Sequence, residues 1–157
     1  MQTCLTFERR CFPVQGLKIN RHVLLRAFAV WLIIVAVETI HGALRTFFLA
    51  SYVGDFRARQ ISVFTGSLLI FGIAFLFIRW IGAGSTEFLL IVGLFWLVLT
   101  LLFEITLGRL ILGLSWERIF ADYDISRGGL LLFGMLFLTV TPLVAARIRH
   151  IETNVEG

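Results

Sequence analysis

The chain has 157 residues, of which 59% are hydrophobic and 15% are charged, and its formal net charge is +4 at pH 7. Its mean hydropathy of +0.93 excludes an ordinary soluble domain, because such domains are roughly half apolar and about a quarter charged. The composition therefore indicates an integral membrane protein. Its basic residues follow a pattern typical of membrane topology, so we expect no nucleic-acid partner.

Residues 1–26 precede the first apolar segment and are predicted to form a cytoplasmic tail. Basic residues concentrate on the cytoplasmic side of membrane-spanning helices. This tail holds Arg9, Arg10, Lys18, Arg21 and Arg26. Arg147 and Arg149 flank the start of the C-terminal tail, residues 148–157, so both termini are expected in the cytoplasm. The bias is incomplete, because further arginines fall on the other side: Arg57, Arg59, Arg118 and Arg127.

Four apolar segments are long enough to cross a hydrocarbon core of roughly 30 Å as α-helices. They cover residues 27–50, 61–81, 88–108 and 129–146. The connections between the first three segments are short, which favours antiparallel neighbours along the chain. The sequence therefore predicts an all-α fold, an up-down-up-down four-helix bundle over residues 27–147. On the second segment, small residues predict close helix contact: Ser62, Thr65, Gly66 and Gly72.

The first segment carries three ionisable residues, Glu38, His41 and Arg45, in otherwise apolar surroundings. Their spacings of three and four place them, with Gly42, within roughly a 100° arc of one helical face. An ionisable group at bilayer depth costs at least roughly 2.5 to 3.5 kcal/mol, so it needs a partner, water or a ligand. The pattern predicts a polar site inside the bundle, where an ion-pair ladder from Glu38 through His41 to Arg45 is geometrically available.

The second half of the chain loosely repeats the order of the first, which favours two repeated helical hairpins. Glu104 stands in the third segment as Glu38 does in the first, and Arg127 follows it as Arg59 follows Glu38. Such hairpins would be related by a twofold axis along the membrane normal. Chance similarity between two amphiphilic hairpins explains the same pattern, so both interpretations stay open.

The positions of residues along the helices add further members to the predicted site. Glu38 lies about 16 Å and Glu104 about 24 Å from the starts of their segments, so both are at or beyond the midplane. Arg109 points about 140° away from Glu104, which predicts contact with the interface or another helix. The complete predicted site is Glu38, His41, Arg45, Arg59, Glu104, Arg109 and Arg127.

The motifs do not favour metal, cofactor or enzyme chemistry. Glu38 and His41 have the spacing of a di-iron ligand pair, but a second Glu-x-x-His is missing from the sequence. His22 and His150 flank the cytoplasmic ends, which disfavours a haem. We therefore expect no cofactor, and only a mononuclear metal at Glu38 and His41 stays open. The sequence has no G-x-S-x-G, H-E-x-x-H or P-loop motif, so catalysis is not favoured.

Three functions fit the predicted site. Arginine presents a planar fork suited to phosphate or carboxylate, so the leading hypothesis is binding, with or without transport, of an anionic or amphiphilic ligand such as a lipid headgroup. In the second, the protein is an accessory or assembly subunit whose charges are structural, in a homo-oligomer or with a partner membrane subunit. In the third, it is a small membrane enzyme with Glu38 and His41 as acid and base.

The chain also resembles a family of small four-span bacterial inner-membrane proteins that has no characterised activity. The resemblance covers residues 26–147 and implies a multi-pass protein of the bacterial inner membrane, with no function carried over. It depends on Glu38, His41-Gly42, Arg45, Gly54-Asp55, Ala58-Arg59-Gln60, Ser115-Trp116, Asp122-Tyr123-Asp124 and Arg127-Gly128-Gly129.

Overall fold

The computed structural model describes residues 21–121, 123–124 and 129–150. Four of its helices are long and apolar enough to cross a membrane, and they pack as a bundle. They are span 1 (Arg21–Val53), span 2 (Asp55–Ile81), span 3 (Thr86–Ile111) and span 4 (Leu131–Ile148). A short helix, Trp116–Ala121, follows span 3. The prediction of an all-α, four-helix membrane bundle is confirmed.

The helices extend beyond the apolar segments that the sequence marks. Span 1 begins at Arg21 and span 2 at Asp55, each about six residues before its predicted start. Hydropathy identifies the part of a helix that lies in hydrocarbon, whereas the helix itself continues where polar side chains meet the headgroups. Most of the predicted tails, residues 1–20 and 151–157, lies outside the described residues.

Tight turns join the first three spans. Gly54, at φ +81°, alone separates spans 1 and 2. Gly82 ends span 2 in the left-handed conformation, at φ +73°, which glycine adopts without steric cost. Ser85 caps span 3, where its hydroxyl accepts a hydrogen bond from the Phe88 N–H at 3.3 Å.

The order of the spans around the bundle differs from the prediction that spans consecutive in the chain are neighbours. Span 1 packs against spans 2 and 3, and span 4 packs against the same two spans. Spans 2 and 3, although joined by a short turn, make no extensive contact among the described residues. A twofold axis along the membrane normal would place span 1 diagonally from span 3, so the predicted axis is wrong. The two hairpins lie side by side instead.

The buried core lies in the half of the bundle where span 1 begins. Its largest fully buried side chains include Trp96, Ile78, Ile81 and Leu89. Two tryptophans join spans 1 and 3 there. Trp96 Nε1 donates to the Ala27 carbonyl at 2.9 Å, and Trp31 Nε1 donates to Thr100 Oγ1 at 3.0 Å. Indole N–H groups in an apolar interior need such acceptors, so these bonds define how the two spans align.

Spans 3 and 4 meet at a glycine. A Cβ atom at Gly93 would lie 1.9 Å from the Thr139 carbonyl oxygen, so the two backbones touch at this point. Small residues allow such an approach between membrane helices, which dispersion forces then stabilise. This crossing brings span 4 against span 3 and closes the core half of the bundle.

Candidate functional site

The other half of the bundle contains a cavity of about 620 Å³ between all four spans. Its walls are mostly apolar and include Ile34, Phe103, Leu107, Met135 and Leu138. Its ionisable and hydroxyl-bearing residues lie on spans 1, 2 and 3. They are Glu38, Thr39, His41, Arg45, Thr46, Arg59, Ser62, Ser67, Thr100 and Glu104.

Five of the predicted site residues therefore line one cavity: Glu38, His41, Arg45, Arg59 and Glu104. Arg109 lies elsewhere. Its Nη1 donates to the Leu114 carbonyl at 2.8 Å, and its guanidinium lies 5.0 Å from the centre of the Trp116 ring. Arg109 therefore turns toward the segment that follows span 3. Arg127 lies outside the described residues.

Glu38 and His41 form a small polar network with span 2. His41 Nδ1 lies 3.4 Å from Glu38 Oε2, and its Nε2 lies 2.8 Å from Thr65 Oγ1. Both side chains are only partly buried, with 20% of His41 and 29% of Glu38 exposed. These two contacts orient the imidazole ring between the spans and hold one oxygen of Glu38 in place.

Gly66 makes room for the Glu38 carboxylate. A Cβ atom at Gly66 would lie 2.8 Å from Glu38 Oε2 and 3.3 Å from Oε1. The sequence indicates close helix contact at this glycine, and the structure identifies the contacting group as a carboxylate. Gly66 therefore both allows spans 1 and 2 to pack closely and leaves space for the Glu38 carboxylate.

Two buried polar atoms at the cavity have no hydrogen-bond partner among the described residues. They are Glu38 Oε1 and Ser62 Oγ. Buried polar atoms in proteins nearly always have a partner, so each such exception calls for an explanation. Ser62 was not among the predicted site residues, because a serine in a run of small residues signals packing just as well.

Arg45 also has no hydrogen bond or ion pair within the described part of the chain. Its side chain is half-buried and lines the cavity. The ladder that the spacing makes available therefore stops at His41, and the guanidinium does not reach Glu38. Arg59 differs, since it pairs with Asp55 one turn earlier on its own helix. Glu104 accepts a hydrogen bond from the Tyr123 hydroxyl at 2.6 Å.

Two π-helical segments adjoin the cavity, Arg45–Leu49 in span 1 and Leu107–Ile111 in span 3. Arg45 and Leu107, the first residue of each segment, both line the cavity. Such segments interrupt α-helices frequently at functional sites, because the extra residue in the turn redirects the side chains beside it. Neither segment has a signal in the sequence that would have revealed it.

Metal binding receives no support from the geometry. Among the described residues, no three His, Cys, Asp or Glu side chains are grouped so that they could hold a metal ion. Glu38 and His41 contact each other, and the polar group that His41 meets on span 2 is the Thr65 hydroxyl.

Comparison with family models, curated proteins and solved structures found no match to this chain. The four long apolar helices agree with a small four-span membrane protein, but no family is identified.

Replacing Gly66 with alanine is expected to keep the fold and displace the Glu38 carboxylate. The atoms in the way are the far end of a flexible side chain, so they can move at little cost. His41 should then lose its contact with Glu38, and its imidazole ¹⁵N resonances should shift in an NMR spectrum of the solubilised protein. Gly72→Ala is the control, because nothing lies within 4 Å of a Cβ atom at that position. Unchanged His41 resonances in Gly66→Ala would contradict the described geometry.

Proposed function

We propose that this integral membrane protein binds an anionic amphiphile in the cavity, with Arg45 holding the anionic group. The observation that carries the proposal is Arg45 itself, partly buried at the wall of a mostly apolar cavity and without an acidic partner among the described residues. An unpaired charge in such surroundings is unfavourable. A phosphate or carboxylate would accept two parallel hydrogen bonds from the guanidinium fork and neutralise it.

The apolar walls support a ligand with a hydrocarbon part. Cavities that bind small molecules typically measure about 300 to 1,000 Å³ and combine apolar walls with a few placed polar groups. This cavity, at about 620 Å³, has that size and that character. Side chains such as Phe103, Met135 and Leu138 would contact an acyl chain, while Arg45 would contact its head.

The position of the cavity supports entry from the bilayer. Thr39, Ala43 and Thr46 line the cavity and are also exposed on the outside of span 1. The hydrogen bonds that join spans 1 and 3 lie nearer the core, at Trp96 and Trp31. A lipid could therefore reach the cavity sideways between these spans without crossing the aqueous phase.

Binding is better supported than transport. The half of the bundle beyond Glu38 is closed by fully buried side chains, including Ala27, Trp96 and Ile78. A ligand could cross to the other side only if this core opened. We therefore propose a binding protein, in which movement of the ligand across the membrane is not required.

We further propose the bacterial inner membrane as its location, with both termini in the cytoplasm. Basic side chains gather at the end of the bundle where span 1 begins and span 4 ends, as cytoplasmic ends require. The described ones are Arg21, Arg26, Arg79, Arg147 and Arg149. In this orientation the cavity lies in the outer half of the bilayer.

The experiment is a comparison of bound lipids in wild type and Arg45→Ala. The proteins are purified in mild detergent and their retained lipids are counted by native mass spectrometry. Hydrogen bonds to charged groups contribute about 1.5 to 3 kcal/mol, so we expect anionic lipid retention to fall by about tenfold or more. Arg57→Ala is the matched control, since Arg57 lies at the same end of the bundle, is exposed and does not line the cavity.

A second experiment distinguishes a lipid from a soluble anion as the source of the anionic group. Excess glycerol 3-phosphate is added to the wild-type complex, because it has the phosphate without acyl chains. Lipid that stays bound supports an amphiphilic ligand, whereas complete displacement would point to a soluble anion. If folded Arg45→Ala keeps the wild-type lipid complement, the proposal is wrong and the arginine has a structural or partner-binding role.

A further inference from the structure

We infer that the headgroup of the ligand carries a hydrogen-bond donor, a hydroxyl or an ammonium group, which Glu38 and Ser62 accept. This inference deepens the proposed function and depends on it. It begins from two unpartnered buried atoms, Glu38 Oε1 and Ser62 Oγ, whose residues line the same cavity from facing spans. Ser62 is 9% exposed, so its hydroxyl is shielded from both lipid and water.

The hydroxyl of Ser62 is buried and has no hydrogen-bond partner among the described residues. A serine or threonine in a helix usually bonds to the carbonyl four residues earlier. Five threonines on spans 1, 2 and 4 do so at 2.6 to 3.2 Å: Thr39, Thr46, Thr65, Thr139 and Thr141. Ser62 has the same option and makes no such bond among the described residues. Its oxygen therefore keeps an unused hydrogen-bonding capacity at the wall of the cavity.

The two oxygens of the Glu38 carboxylate also differ in their contacts. Oε2 contacts His41, and Oε1 has no partner in the described structure. An ionised carboxylate oxygen can only accept a hydrogen bond, and a serine hydroxyl can accept one as well as donate. Both atoms can accept a hydrogen bond, so the complementary group on the ligand is a hydrogen-bond donor.

The distance along span 1 is compatible with a single headgroup. Glu38 and Arg45 are separated by about 10 Å along the helix axis. Long side chains in helices tend to lean toward the N-terminal end, which on span 1 is the direction of Glu38. A phosphate at Arg45 and a donor a few bonds away would engage both ends of this polar wall.

Two lipids test the inference directly. Phosphatidylglycerol and phosphatidylmethanol carry the same charge, and can be made with identical acyl chains, but only the first has headgroup hydroxyls. We expect the wild-type protein to retain phosphatidylglycerol about tenfold more in a native mass spectrometry competition. In Ser62→Ala this preference should fall several-fold, while phosphatidylmethanol retention and its dependence on Arg45 stay unchanged.

Matched variants complete the design. Ser51→Ala removes a hydroxyl that donates to the Phe48 carbonyl outside the cavity, so it should keep the wild-type preference. Glu38→Met keeps the approximate size of the side chain and removes both acceptor oxygens, so it should lower the preference as Ser62→Ala does. Equal retention of both lipids by the wild type, with both lost in Arg45→Ala, would overturn the donor inference and leave the proposed function standing. Retention that does not depend on Arg45 would overturn both.

Discussion

Replacing Gly93 with valine is expected to separate spans 3 and 4 and to destabilise the protein strongly. The Cβ atom alone would lie 1.9 Å from the Thr139 carbonyl oxygen and 2.8 Å from its carbon. These are backbone atoms of a packed helix, so the side chain cannot be accommodated by a rotamer change. The helices must move apart and lose their close contacts.

We expect Gly93→Val to lower the free energy of unfolding by about 3 kcal/mol or more, at the upper end of overpacking effects. Denaturation in mixed detergent micelles, followed by tryptophan fluorescence and circular dichroism, measures this loss. Gly72→Val is the matched control, because nothing lies within 4 Å of a Cβ atom at Gly72. Equal unfolding curves for the two variants would show that the crossing at Gly93 is not as close as described.

Replacing Trp96 with alanine is expected to cost about 3 to 5 kcal/mol of unfolding free energy, as for large aromatic residues in packed cores. Trp96 is fully buried, so its removal leaves a cavity between spans 1 and 3. The change also removes the hydrogen bond to the Ala27 carbonyl. The same detergent denaturation measures the effect.

Two further variants of tryptophan residues divide this effect into its parts. Trp96→Phe keeps most of the ring volume and loses the indole N–H, so it should recover more than half of the stability lost in Trp96→Ala. Trp116→Ala should be close to wild type, since Trp116 is 49% exposed and its ring contacts are with Phe120 of its own short helix and with Arg109. A Trp96→Ala protein as stable as Trp116→Ala would contradict the assignment of Trp96 to the core.

Gly93 and Trp96 both lie in the core half of the bundle, away from the cavity. Lipid tails are as apolar as leucine, so membrane helices associate through close packing and hydrogen bonds and not through the hydrophobic effect. Gly93 and Trp96 supply these contacts on the core side. The polar residues of the other half, Arg45, Glu38 and Ser62, are not part of these contacts.

Local properties of the chain were enough to predict the class of fold and the face that carries the polar groups. Hydropathy over about 20 residues detects a membrane helix wherever it occurs, since the bilayer is the same solvent for every helix. The helical repeat likewise places Glu38, His41 and Arg45 on one side of span 1, whatever packs against them. Five of the predicted residues accordingly line one cavity.

The partners of these residues depended on how the helices meet, which no local pattern encodes. Arg45 and Arg59 look alike in sequence, yet Arg59 pairs with Asp55 while Arg45 has no partner among the described residues. The diagonal placement of spans 2 and 3 follows from close approaches such as that of Gly93 to Thr139. Ser62 and Gly66 acquire their roles only when span 1 lies against them, because a hydrogen-bond vacancy or a steric gap is a property of two surfaces together.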